Sequence, residues 1–162
     1  MIRGASLLLA GLACVGCTPV RTTIPAPYYM DGKKFETLAA LETEANTRCE
    51  NMAGGAPLPP HKFTTDGCSS YPENSSQRAC CVAHDVGYWC GATPRVDVDQ
   101  EFRRCLREVS SGFNAGVMYY AVRLGGGRFS PFPWRFGYGH PWPHRKTKAP
   151  SEPRPQTSPT PP

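Results

Sequence analysis

The run RACCVAHDVGYWCG, Arg78–Gly91, packs two adjacent cysteines, a histidine and an aspartate into one short stretch. Histidine exchanges protons near neutral pH, and a carboxylate either orients an imidazole or holds a hard cation. The stretch reads as helical, and on a helix residues four apart share a face. Cys80, His84 and Tyr88 then form one stripe, with Cys81 and Asp85 on the next, about 100° around the axis. Two faces of one helix are therefore available for two jobs.

A second helix follows Pro94, a residue that suits a first helical position, and Val98, Phe102, Cys105 or Leu106, and Val109 form its apolar stripe. The short connection from Gly91 to Pro94 favours an antiparallel pairing of the two. In that pairing Cys80 opposite Cys105 and His84 opposite Asp99 differ in register by only two residues, about 3 Å along the axis. One register can thus form a Cys80–Cys105 bridge and a His84–Asp99 hydrogen bond together. Asp99 lies on the apolar stripe, where a carboxylate is costly without a partner. A ring nitrogen of His84 is a suitable one, because the bond fixes the tautomer and raises basicity.

On the other face, a bridge from Cys68 to Cys81 would bring Asp66 and the Gly67 carbonyl within a helical turn of Asp85. Two carboxylates, a carbonyl and waters make an oxygen-rich site suited to Ca²⁺, at about 2.3–2.6 Å per ligand. Cys49 and Cys90 remain as the third pair, tying the first helix to the end of the second. A histidine base beside a hard cation can activate water against an ester carbonyl, with no serine or cysteine nucleophile. Cys81 and His84 also have the spacing of half a zinc site, but no second Cys/His pair is suitably spaced to complete it. Taken singly, His84 reads as a structural histidine and Asp66 as a turn cap; the combination is what points to chemistry.

The elements that must position these residues follow from the rest of the 162-residue chain, long enough for one modest domain with tails. MIRGASLLLAGLACVGC carries Arg3, an apolar run and small residues before a cysteine, the pattern of a secretory signal over 1–16. Its apolar run falls short of the ~20 residues that span a bilayer. Cys17, with Cys14 as the alternative, is the expected lipidation site; the other reading is an ordinary cleaved signal beside a free cysteine. Removing the signal and that cysteine leaves six cysteines, enough for three disulfides in an oxidising compartment. The expected location is the periplasm or cell envelope as a membrane-anchored lipoprotein, or secretion.

Residues 17–32, rich in Pro and Thr, read as a flexible linker. From Lys33 a first helix is expected, with Phe35, Leu38, Leu41, Ala45, Cys49 and Met52 on one face and a stop at Gly54-Gly55. A turn-rich loop over 55–77 contains the tight-turn pair Asp66-Gly67. The run FNAGVMYYAVRL forms a further helix, or a continuation past Ser110-Ser111-Gly112, ending at Gly125–Gly127. No strand and no internal repeat stand out, so a mostly helical domain over 33–127 is expected. The last segment, 128–162, holds six Lys/Arg against one Glu, which accounts for the whole +5 formal charge. Its aromatic-basic part, 128–146, either sits on an anionic membrane surface through Trp134, Trp142 and its cations, or packs loosely on the body. The Pro-rich remainder is expected to be disordered. Asp97 reads as a solvated acid in the first turn of its helix.

CCVAHDVGYWCG (80–91), TDGC (65–68) and DVDQEFRRC (97–105) together resemble the secreted phospholipase A2 superfamily. Its pattern is a cysteine pair, two spacers, His-Asp, a Tyr three residues after the Asp, and a later Asp on the facing helix. Cys80, Cys81, His84, Asp85, Tyr88 and Asp99 fill those places, over about 65–110 of the chain. The glycine-rich calcium loop of the animal enzymes is absent, and Gly87 stands where they carry another cysteine. TDGCSS looks more like the bacterial and fungal variety, in which a loop aspartate and the next carbonyl bind calcium, hence Asp66 and Gly67. The resemblance implies a small disulfide-stapled core on two antiparallel helices and calcium-dependent hydrolysis of the sn-2 ester of glycerophospholipids. It gives His84 the role of base, Asp99 that of its orienter, Tyr88 a hydrogen bond to Asp99, and Ca²⁺ the ligands Asp66, Gly67 and Asp85. The expected partner is a phospholipid membrane surface, with no nucleic acid and a monomeric chain. The competing class is a catalytically silent module of the same fold that binds lipid or protein.

Overall fold

The computed structural model describes residues 22, 24–69 and 71–142. The signal, Cys17 with its alternative Cys14, and 143–162 lie outside the described residues. The protein is mostly helical: α1 Leu38–Ala53, α2 Ser75–Cys90, α3 Arg95–Val109 and α4 Gly112–Gly125, preceded by two short strands, β1 Tyr28–Met30 and β2 Lys33–Phe35. Among the described residues no helix is long and apolar enough to cross a membrane.

Each helix boundary has a local cause. Thr37 caps α1, its hydroxyl accepting from the Ala40 N–H, and Gly54 ends it in the left-handed conformation. Asn74 and Gln77 form a reciprocal capping box on α2, which stops at Gly91, again left-handed. Ser110 closes α3 and the Ser111 hydroxyl caps α4, so the Ser-Ser-Gly run breaks the helix rather than bending it.

The strands correct the reading of 17–32 as a linker and of 33–36 as helix. Tyr28, Tyr29 and Met30 pair antiparallel with Phe35, Lys34 and Lys33. Asp31 and Gly32 both have positive φ, 50° and 72°, the type I′ geometry whose twist suits a two-residue hairpin turn. Met30 is fully buried and Phe35 packs beside the same core, so this segment belongs to the folded body.

The core has two main parts. One lies between the hairpin, α1 and α2 and includes Met30, Leu41, Ala45, Phe63, Val82, Val86 and Trp89. The other lies between α2, α3 and α4, with Phe102, Leu106, Ala115 and Met118 around Cys80 and Cys81. The three expected disulfides are present: Cys49–Cys90, Cys68–Cys81 and Cys80–Cys105. Gly87 lets α2 and α3 approach closely, because a Cβ there would stand 2.5 Å from Val98 Cγ1.

The body also extends past the expected boundary at 127. The end of α2 leaves carbonyls without helical partners, and 136–140 supply donors to them. Gly137 N–H bonds Tyr88 O at 2.6 Å, Gly139 N–H bonds Trp89 O at 3.2 Å, and His140 Nε2 donates to Cys90 O at 3.1 Å. The Tyr138 hydroxyl donates to Thr64 O at 2.6 Å, anchoring the loop that leads to Asp66. Phe136 is buried against Tyr88. Residues 128–140 are therefore packed on the body, with Trp142 exposed beyond them.

Candidate functional site

The two stripes of α2 face the two partners expected of them. His84 Nε2 lies 2.9 Å from Asp99 Oδ1 on α3, and the Tyr88 hydroxyl donates to the same oxygen at 2.7 Å. Asp99 is completely buried. Its other oxygen accepts from Arg123 Nη1 at 2.7 Å and from Arg95 Nε at 3.3 Å. Arg95 also donates to the Val122 and Arg123 carbonyls at the end of α4. One carboxylate thus gathers donors from three helices.

These bonds set the charge states. Burial alone would push Asp99 up, but the hydrogen bonds from His84, Arg123 and Tyr88 outweigh it and hold the carboxyl below its ordinary value. Burial pushes His84 down; its bond to Asp99 opposes this and the Arg95 charge adds to it. The net result is a neutral imidazole at neutral pH. A carboxylate can only accept, so the ring proton sits on Nε2 and the lone pair on Nδ1. Burial and the Asp99 charge raise Tyr88, which stays a neutral donor.

His84 lines a cavity of about 290 Å³ walled by α2, α3, α4 and the loop after α4, with Phe102, Met118, Ala121, Phe132 and Trp134 among its apolar residues. Gly67, Cys68, Ser69 and Asp85 line the same cavity from the side of the Cys68–Cys81 bridge. The base and the acidic loop therefore open onto one space. Beyond it, Phe113, Val117, Tyr120 and Leu124 leave one face of α4 exposed and apolar, with Phe129 and Phe132 beside it; Phe113 is 81% and Leu124 87% exposed.

Asp85 is buried and accepts from the Thr65 hydroxyl at 2.5 Å; that hydroxyl accepts in turn from the Gly67 N–H at 3.1 Å. Burial pushes Asp85 well above its ordinary value, and the charges of Asp66 and Glu73 push it further. Asp66, half-buried, is raised by burial and by Glu73 and lowered by its bond from the Ser69 hydroxyl. A buried carboxylate beside two acids is relieved by a cation, and Asp66, Asp85 and the Gly67 carbonyl offer only oxygens, so this donor set fits a hard ion. Glu73 itself is engaged by Cys68 N–H and Arg78 Nε. Its carboxylate and the two sulfurs lie within 4.8 Å of one another, but sulfurs bonded to each other have no thiolate to lend a metal.

Arg95, Arg123, Thr65 and Glu73 are the residues that sequence reasoning missed. Arg95 stands four residues before Asp99 on α3, a helical spacing that announces a pair. Arg123 reaches Asp99 across 24 residues and has no local signal. No protein family, curated protein or solved structure matches this chain.

Proposed function

We propose that this chain hydrolyses the sn-2 acyl ester of glycerophospholipids with the help of calcium, in the manner of the secreted phospholipase A2 enzymes its motifs resemble. The observation that carries the reading is His84, held through Nε2 by a buried carboxylate at 2.9 Å and opening onto an apolar cavity beside Asp85. Asp99 fixes the imidazole with its lone pair on Nδ1. His84 Nδ1 takes a proton from a water whose oxygen bonds to the ester carbonyl carbon. When the ester C–O bond breaks, the same nitrogen returns the proton to the leaving alkoxide, giving a fatty acid and a lysophospholipid. Such a base contributes about 10²–10⁴ in rate. Asp66, Asp85 and the Gly67 carbonyl would hold Ca²⁺, which when bound stabilises negative charge on the carbonyl oxygen. Tyr88, Arg95 and Arg123 keep the orienting carboxylate in place.

An apolar-walled cavity suits an acyl chain, and the exposed apolar face of α4 beside it suits the surface of a lipid aggregate. Three disulfides fit an exported protein, as does the signal-like N-terminus. The test is fatty-acid release from phospholipid vesicles, with and without a calcium chelator, for wild type and His84→Gln. Release that stops on chelation and in the variant supports the reading. A folded, calcium-loaded protein that adsorbs to vesicles and releases nothing refutes it in favour of a lipid-binding module.

A further inference from the structure

Glu73 is not one of the three residues that offer oxygens to a cation, yet its carboxylate grips the loop that carries two of them. Oε2 accepts the Cys68 N–H at 2.8 Å, and Oε1 accepts from Arg78 Nε at 2.5 Å. The Glu73 side chain is only 10% exposed and that of Arg78 24%. Gly67 leans on the same carboxylate: its φ is +73°, and a Cβ there would stand 2.8 Å from Glu73 Oε1. One carboxylate thus faces both the bare Cα of Gly67 and the N–H that follows it.

That bond governs the direction of a ligand. The peptide joining Gly67 to Cys68 is planar and trans, so its carbonyl points opposite to its N–H. With the N–H fixed on Glu73, the Gly67 carbonyl is turned away from Glu73 and cannot rotate without breaking the bond. Arg78 then ties Glu73 to α2. It stands seven residues before Asp85, two helical turns or about 10 Å along the axis on nearly the same face. Three side chains on that face each hold the loop: Arg78 through Glu73, Cys81 through its bridge to Cys68, and Asp85 through the Thr65 hydroxyl. We propose that Glu73, clamped by Arg78, is a positioning residue of the calcium site, which aims the Gly67 carbonyl for the ion without ligating it. The role rests on the proposed calcium ligands, and it deepens that reading by naming what fixes one of them in a chain without a glycine-rich calcium loop.

The test is Ca²⁺ binding to the folded chain by calorimetry, with the Cys68 amide and Gly67 carbonyl shifts followed by NMR. Wild type is expected to bind, and Glu73→Gln and Arg78→Gln each to weaken binding about 10–100-fold, as loss of a group that orients a ligand does. Arg78→Gln is the deciding variant, because charge alone predicts the opposite sign: removing a cation near the site should tighten the binding of another. Arg78→Lys keeps a donor there and should recover part of the loss. In both Gln variants the Cys68 amide signal should move before any calcium is added, since its bond to Glu73 weakens. Arg78 is a quarter exposed, so its variants carry the test if Glu73→Gln does not fold. An Arg78→Gln protein that binds Ca²⁺ as tightly as wild type, or more tightly, overturns the proposal and leaves the ligand set standing. Wild type that binds no Ca²⁺ overturns the ligand set and the proposal with it. Neither measurement depends on hydrolysis.

Discussion

Replacing Asp99 with asparagine removes one charge and keeps the shape of the side chain, so its consequences follow from which donor each oxygen serves. Oδ1 receives His84 and Tyr88; Oδ2 receives Arg123 and Arg95. The amide has one oxygen and one NH₂ group. An NH₂ aimed at two guanidiniums, which cannot accept, is the worse arrangement, so the amide oxygen turns toward the arginines. The NH₂ then faces His84, which can receive it only by giving up its Nε2 proton. The imidazole is forced into the opposite tautomer, with its proton on Nδ1. The arginine side chains are 22% and 33% exposed, and solvent limits the loss there to less than about 1 kcal/mol each. The two bonds at Oδ1 are buried, and weakening them costs about 1–1.5 kcal/mol each. The sum, about 2–5 kcal/mol, is a large share of the ~5–15 kcal/mol typical of a domain. The melting temperature should fall by about 10 °C. Hydrolysis, with no lone pair on Nδ1, should fall by roughly 10³–10⁴. Urea melts, imidazole ¹⁵N shifts and fatty-acid release measure the three effects separately. An Asp99→Asn protein that keeps its proton on Nε2, or hydrolyses at the wild-type rate, refutes the reasoning.

Asp85 has a raised folded pKa, so its contribution to stability is full below the ordinary carboxyl range and is lost as pH rises through the elevated value. Asp85→Asn should therefore stabilise the chelated protein at about pH 8 more than at about pH 5, and added Ca²⁺ should stabilise wild type but not the variant; a calcium-independent melting curve for wild type would count against the ligand set. Gly87→Ala should cost about 1–3 kcal/mol in a urea melt, because the new methyl meets Val98 Cγ1 at 2.5 Å, and Val98→Ala in the same chain should recover part of it. Phe113→Ser with Leu124→Ser should leave stability within about 0.5 kcal/mol per site yet weaken adsorption to vesicles, and unchanged adsorption would remove α4 from the lipid-facing surface.

The helices and the dyad were legible because both rest on local arithmetic. The i, i+4 spacing of Cys80 and His84, and of Cys81 and Asp85, settles which face each occupies, and the chain is too short between Gly91 and Pro94 for α3 to do other than return along α2. The hairpin was missed although Asp31-Gly32 is a strong turn signal, because the Pro/Thr-rich residues before it masked Tyr28–Met30 and Phe35 falls in step with the stripe of α1. The end of the body was set too early, at 127, for another reason. Nothing in the composition of 128–140 announces that the carbonyls of Tyr88, Trp89 and Cys90 lack donors, and only the assembled helix end creates that demand. Arg123 was invisible on the same ground, since its partner is set by how α4 crosses α3.

The disulfides are placed where the functional residues need them, one helical turn ahead on each face of α2: Cys80 before His84, Cys81 before Asp85. They close loops with separations of 13, 25 and 41 residues, for which chain entropy gives about 3, 3.5 and 4 kcal/mol respectively if each acts alone. That reserve explains how a small domain keeps features that oppose folding. Asp85 is buried beside two acids and Arg135 is buried beside another cation. Each would be expensive in a marginal fold. The cross-links hold the body together against both costs.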